Sequence, residues 1–258
     1  MITTLQIKGY KLLRDNNISL RPLTLLAGLN CTGKSSLFEA IQLLHQSHLM
    51  GNLSTHLALN GPIINTQTCV FDVAPDSQAA IAEVEISLVQ GGETYRHKFA
   101  TDDYHSRQLA TISHSTKWVP PAISHHAFDQ QKFNPLILEN KLPDHLFLIE
   151  NPETRLHASL ATEAGIAMAV AANKGAQVII ETHSDHVFLG VRLAVHQGLT
   201  DPEDVLFLHF ERLPEGGLSI DPLTIDRHGR LPRWPNNFFD EWDNSLSDLL
   251  EPLPELVA

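Results

Sequence analysis

Cysteine is nearly missing. Cys31 and Cys69 are the two in a chain of 258 residues, too few for a disulfide framework, which excludes the small stapled secreted folds and points to a reducing cytoplasm. Basic residues are also scarce: 18 Lys plus Arg face 30 Asp plus Glu, a formal net charge of -12. Such a surface repels nucleic acid and anionic lipid as a whole, so any DNA contact is expected to be local or to come through a partner. No apolar run approaches the ~20 residues that cross a bilayer, and the opening MITTLQIK lacks the blocks of a signal peptide. Membrane insertion is not expected. Repeats and low-complexity tracts are absent too. What remains is a globular composition, 43% hydrophobic, ample for one large α/β domain or two small ones.

Short apolar runs with polar punctuation predict strands over residues 2–27, ending at Gly28. From Gly33 the apolar positions Leu37, Ala40, Ile41 and Leu44 recur at helical spacing, predicting a helix to about His48. Gly91 and Gly92 join two expected antiparallel strands, 82–89 and 94–100, as a hairpin. Between about 101 and 135 the sequence turns rich in His, Ser, Asp and Pro, and no element is placed; His125 and His126 read as solvated loop residues. Order returns with a buried strand at 146–149, a helix over about 157–173, a buried strand at 178–180 and a helix over 185–197 stopped by Gly198. A strand at 205–210 and a hairpin through Gly216 and Gly217 follow. Strands separated by helices predict an α/β fold: a mixed, largely parallel sheet flanked by helices, with an additional antiparallel β layer. We expect one domain over 1–258, with strand, glycine loop and helix in 1–50, the β layer and a short helical region in 51–145, and the remainder in 146–258.

The segment Gly28-x-x-x-x-Gly33-Lys34-Ser35 matches the phosphate-binding loop. Its glycines let backbone amides turn inward around phosphates, Lys34 places a charge at the β and γ phosphates, and Ser35 offers a hydroxyl to Mg²⁺. The helix that opens there adds its positive end. Asn30, Thr32, Gly33 and Ser36 complete the expected nucleotide-binding set with Gly28, Lys34 and Ser35, and the expected ligands are ATP and Mg²⁺. Such a site needs an acid at the end of a buried strand, and Glu150 after Leu146-Phe147-Leu148-Ile149 supplies it. A third strand delivers Glu181-Thr182-His183-Ser184 to the same edge of the sheet. A rival reading of His183, Asp185 and His186 as metal ligands lacks further partners at usable spacing. The aromatic stretch Trp234 to Trp242 reads as a tail docked on the core, with a partner surface as the alternative.

These residues resemble the ABC-type, SMC-like and OLD-like bacterial ATPases of the AAA family, of the kind encoded in anti-phage defence loci, and the subset ending in a Trp-Pro-x-x-Phe-Phe-Asp tail. The resemblance rests on residues 22–36, on Ile149-Glu150-Asn151-Pro152-Glu153 with Leu156 and His157, on residues 181–186 with Arg192, and on Trp234 through Asp240. It implies a P-loop NTPase with an ABC-type head. It puts Ser35 and Glu150 at the metal, with Gln67 where a loop glutamine reaches it, and His183 at the switch position. Asn151 stands where these ATPases carry the catalytic glutamate, and an amide cannot take a proton from water. Glu153 or Glu181 is then the candidate base. The signature serine and glycines are also missing from residues 127–132, where Asp129 would repel a γ-phosphate. The resemblance therefore implies either slow or partner-dependent ATP hydrolysis driving a defence or DNA-maintenance assembly, or a nucleotide-binding subunit that controls a partner's activity. Self-association through other surfaces stays open, and no nuclease activity is expected of this chain.

Overall fold

Alternating and continuous apolar patterns build two different sheets, seen in a computed structural model that describes residues 1–65, 82–101, 109–125, 144–214, 217–235 and 238–239. The first sheet takes the alternating segments: β1 (Ile2–Tyr10), β2 (Leu13–Ser19), β4 (His56–Leu57), β5 (Ala82–Gln90), β6 (Glu93–Thr101) and β7 (Leu109–Ser113). Its order is β2-β1-β5-β6-β7-β4, antiparallel throughout. The second takes the buried runs β3 (Leu23–Gly28), β9 (His145–Glu150), β10 (Gln177–Glu181) and β11 (Val205–Arg212), flanked by the less buried edge strands β8 (Ala122–His125) and β12 (Leu218–Leu223), in the order β12-β11-β3-β10-β9-β8. Five of these are parallel and β12 closes the edge antiparallel to β11. All five residues of β10 are buried, as a central parallel strand with both faces covered requires.

The parallel sheet divides the core into two. Leu26, Leu148, Ile179, Leu208 and Phe210 face the antiparallel sheet and helix α1 (Lys34–Leu49). Their sequence neighbours Leu25, Ile149, Ile180 and Phe207 face helices α2 (Ala158–Asn173) and α3 (Asp185–His196). Gln177 joins the sheets: its amide accepts from the Ile2 N–H at 2.8 Å and donates to the Ile2 carbonyl at 2.6 Å, with both residues buried. The closest helix crossing is glycine on glycine. A Cβ on Gly165 would stand 2.3 Å from the Val187 carbonyl oxygen, and one on Gly190 2.1 Å from that of Thr162.

The helices and the hairpin fall where periodicity puts them, within a residue or two. Between 101 and 135, where sequence placed no element, the chain forms β7 and β8. Each is short, and β8 gains its order by pairing alongside β9; tertiary pairing overrides a weak local signal here. His125 therefore ends a strand and is not a loop residue, while His126 lies outside the described residues. The tail docks in part: Phe238 is buried against Phe188 at 5.3 Å between ring centroids, whereas Trp234 is 43% exposed and Trp242 is outside the described residues. No described helix is long and apolar enough to cross a membrane.

Candidate nucleotide site

The register of the parallel strands places three functional segments side by side. Glu181 at the end of β10 lies opposite Leu26 of β3 on one side and Glu150 of β9 on the other. The carboxyl ends of parallel strands are where an open α/β sheet offers a crevice to ligands. Here the crevice is a cleft of about 290 Å³ that includes Lys34, Ser35, Glu181 and His183.

After β3 the chain turns at Gly28, whose φ of 134° suits glycine, and a Cβ there would stand 2.2 Å from the Phe210 carbonyl oxygen. Cys31 and Gly33 also have positive φ, 60° and 91°, which curls the loop before α1. Gly33 sits at the N-cap of α1 and no side chain caps it, so the helix presents its first amides to the cleft. Lys34 is 3% exposed and its ammonium donates to the carbonyls of Gly28 at 2.9 Å and Leu29 at 2.7 Å. Thr32 also donates its hydroxyl to the Leu29 carbonyl at 2.8 Å. Burial pulls the Lys34 ammonium below its ordinary pKa, against the attraction of Glu181, which leaves a cation poorly compensated until an anion arrives. Asn30 and Ser36 also line the cleft.

The Ser35 hydroxyl donates to Oε1 of Glu181 at 2.9 Å. Oε2 of the same carboxylate is buried without a hydrogen-bond partner, in a residue 6% exposed. A serine hydroxyl beside the strand-end acids Glu150 and Glu181 fits a hard cation, which takes one or two protein oxygens and completes its shell with water and phosphate. Burial, then the negative charges of Glu150 and Glu39, raise the Glu181 pKa, while Ser35 and Lys34 oppose the rise. Partial desolvation and Glu39 likewise raise Glu150, against a hydrogen bond from Gln42. Among the described residues no three His, Cys, Asp or Glu side chains cluster closely enough to hold a metal without other ligands; this tells against the reading of His183, Asp185 and His186 as a metal set.

Glu153 is already engaged. Its Oε2 accepts from the Thr182 hydroxyl at 2.7 Å and its Oε1 from the His183 backbone N–H at 3.0 Å. His183 stands at the rim of the cleft with a lowered pKa, caused by burial and then by Lys34, with Glu153 opposing. Asn151 turns away from β9 with φ 46° and donates its backbone N–H to the Glu181 carbonyl at 2.7 Å. Gln67 and the stretch 127–132 lie outside the described residues. Three residues that sequence reasoning did not name also line the cleft, Leu12 and the oppositely charged Lys11 and Glu39. Lys11 and Glu39 form an ion pair, and the Tyr10 hydroxyl donates to the same Glu39 carboxylate at 3.0 Å. Glu39 follows Ser35 by four residues on α1, one helical turn on the same face, and that spacing was the signal available.

Residues 1–102 match the family model of an AAA ATPase domain (AAA_15), and residues 200–249 match a protein family of unknown function (DUF3696). The chain superposes on an SMC head bound to the C-winged helix domain of ScpA, at TM-score 0.51 and 13% identity over 86% of this chain and 98% of that one. An SMC head with an extended coiled coil, bound to the C-terminal domain of ScpA derived from Pyrococcus furiosus, gives TM-score 0.51 at 9% identity over 97% and 99%. The fold is that of an SMC head. The head domain from Thermotoga maritima lies at TM-score 0.49 and 14% identity over 86% and 98%. A search of curated proteins finds no match. The AAA match and the SMC-like P-loop fold support an ATP-binding, SMC-like ATPase.

Proposed function

We propose that the chain is a single ATPase head that binds ATP with Mg²⁺ and hydrolyses it slowly, or only when a partner protein closes the cleft. The observation that carries this is the buried ammonium of Lys34 at the opening of α1, next to the Ser35 and Glu181 pair. Ser35 and Glu150, with Gln67, are assigned to the cation, which supplies charge neutralisation between phosphates. Leaving its own loop carbonyls, Lys34 turns to the β and γ phosphates. A second cavity of about 300 Å³, which includes Leu12, Arg14, Thr32 and Arg212, has room for ribose and base. Both it and the phosphate cleft include Leu12 and Thr32. His183 at the rim is assigned to the γ-phosphate.

With Asn151 unable to act as a base and Glu153 committed to the neighbouring turn, we assign the attacking water to Glu181, whose Oε1 accepts from Ser35 and whose Oε2 is buried without a hydrogen-bond partner. A raised pKa suits that role. A soluble, cytoplasmic head serving a defence or DNA-maintenance assembly follows the family resemblance of the motifs. The second reading, a subunit in which bound ATP holds a shape for a partner, is favoured by Asn151. Steady-state phosphate release by the purified chain separates the two. Turnover well below the ~10 s⁻¹ typical of enzymes, abolished in Glu181→Gln with ATP binding kept, is expected for a hydrolysing head. ATP binding with no release above the Lys34→Ala background would favour the second, and ordinary turnover by the isolated chain would contradict the account of Asn151.

A further inference from the structure

The turn after β9 is tied to the turn after β10 more firmly than strand pairing requires. Besides the two bonds to Glu153, the Thr182 hydroxyl accepts from the Ser184 N–H at 3.0 Å. Ser184 is the N-cap of α3, its hydroxyl accepting from the Val187 N–H at 3.4 Å. A continuous chain of hydrogen bonds therefore runs from Glu153 through the fully buried Thr182 to the start of α3. On the other side, the turn at 151–156 contains two non-glycine residues in the left-handed region, Asn151 at φ 46° and Arg155 at φ 69°. It is pinned by Asn151 N–H to Glu181, by Thr154 N–H to Asn151 and by Leu156 N–H to Glu153, at 2.7, 3.0 and 2.9 Å. Backbone in that region persists where surrounding contacts over-determine it, and such turns gather at functional sites. These three bonds are backbone to backbone, and the side-chain link from this turn to the next element is the Glu153 carboxylate, which accepts from the Thr182 hydroxyl and the His183 N–H.

We propose that Glu153 is a positioning residue that holds His183 at the nucleotide cleft by binding its backbone, so that the turn at 151–156 and the segment 182–184 move as one unit. This rests on the reading of the cleft as an ATP site. It separates Glu153 from any role as base: a base acts through its charge, whereas a clamp acts through two acceptor positions. A glutamine keeps one acceptor for the His183 N–H and turns its amide N–H toward the Thr182 oxygen, so Glu153→Gln preserves a clamp and destroys a base.

The test uses the full chain in three forms, wild type, Glu153→Ala and Glu153→Gln. Amide hydrogen exchange of the peptide spanning 181–186, without nucleotide, is expected to be at least tenfold faster in Glu153→Ala and near wild type in Glu153→Gln. Phosphate release is expected to fall about tenfold in kcat for the alanine variant with KM changed less than threefold, and to recover in the glutamine variant. Adding His183→Ala to Glu153→Ala should cost nothing further, since both changes remove the same placed group. Unchanged exchange in Glu153→Ala overturns the clamp whatever the kinetics are. Equal loss of turnover in the alanine and glutamine variants overturns it in favour of a base. A wild-type chain that binds no ATP defeats the reading of the site instead, and the exchange result then decides the clamp by itself.

Discussion

At position 151, directly after β9, the chain carries an amide whose backbone stands at φ 46° with its N–H bonded to the Glu181 carbonyl. Restoring a carboxylate there is expected to raise phosphate release: Asn151→Glu should gain tenfold or more, since general-base catalysis contributes roughly 10²–10⁴-fold. The gain is offset by strain on a larger residue in the left-handed region, on the order of 1 kcal/mol. Turnover unchanged in a variant that still binds ATP would place the deficit elsewhere. A second residue-scale prediction concerns His97, fully buried with both ring nitrogens unpartnered. Burial, then the charges of His114 and His48, bring its pKa down to about 4. Between about pH 6.5 and 4 the unfolded chain takes up a proton that the folded chain refuses, so stability is full above 6.5 and declines as pH falls, by about 3 kcal/mol in all. His97→Phe should remove that dependence, read as the difference in unfolding free energy between the two proteins at pH 7 and pH 4.5. Equal losses in both would refute it. At this scale the loop residues were legible because each has a local sequence signature. The Lys11 and Glu39 pair, the orphaned oxygen of Glu181 and the commitment of Glu153 were not, because each depends on partners far away in sequence.

Elements place these residues, and the α2 and α3 pair does so through its glycines. Gly165 and Gly190 let the α2 and α3 backbones touch, and α3, capped by Ser184, follows directly after His183. Gly165→Ala introduces a Cβ 2.3 Å from the Val187 carbonyl oxygen, backbone that cannot swing aside. Overpacking of this kind costs about 1–3 kcal/mol, or a fall in Tm of roughly 2–4 °C per kcal/mol for a chain this long. A Tm equal to wild type would show that the crossing adapts. The principal elements were readable from sequence: α1, α2 and α3 by helical spacing, and the buried strands β3, β9, β10 and β11 by apolar runs too short for a helix and bounded by polar or turn residues. β7 and β8 were not, since five and four residues among histidines, serines and prolines hold too little pattern, and neighbouring strands supply their order.

For the whole molecule the parallel sheet sets the site: α1 begins at the cleft where β3 and β10 end, with the end of β9 beside β10. On the proposed function, ATP seated there would leave its γ-phosphate toward solvent, and a partner protein would cover it. Light scattering is expected to show no ATP-driven homodimer of the chain alone, and an ATP-driven dimer abolished by Lys34→Ala would restore a symmetric pair. Everything above depends on the cleft taking nucleotide, and thermal unfolding with ATP and Mg²⁺ tests that most directly. A ligand present at about 100 times its Kd stabilises the folded state by about 2.7 kcal/mol, a rise of roughly 5–10 °C for a chain this long. The account predicts that rise in the wild type and its loss in Lys34→Ala, each compared with its own nucleotide-free baseline. No rise in the wild type, or an equal rise in Lys34→Ala, would contradict it.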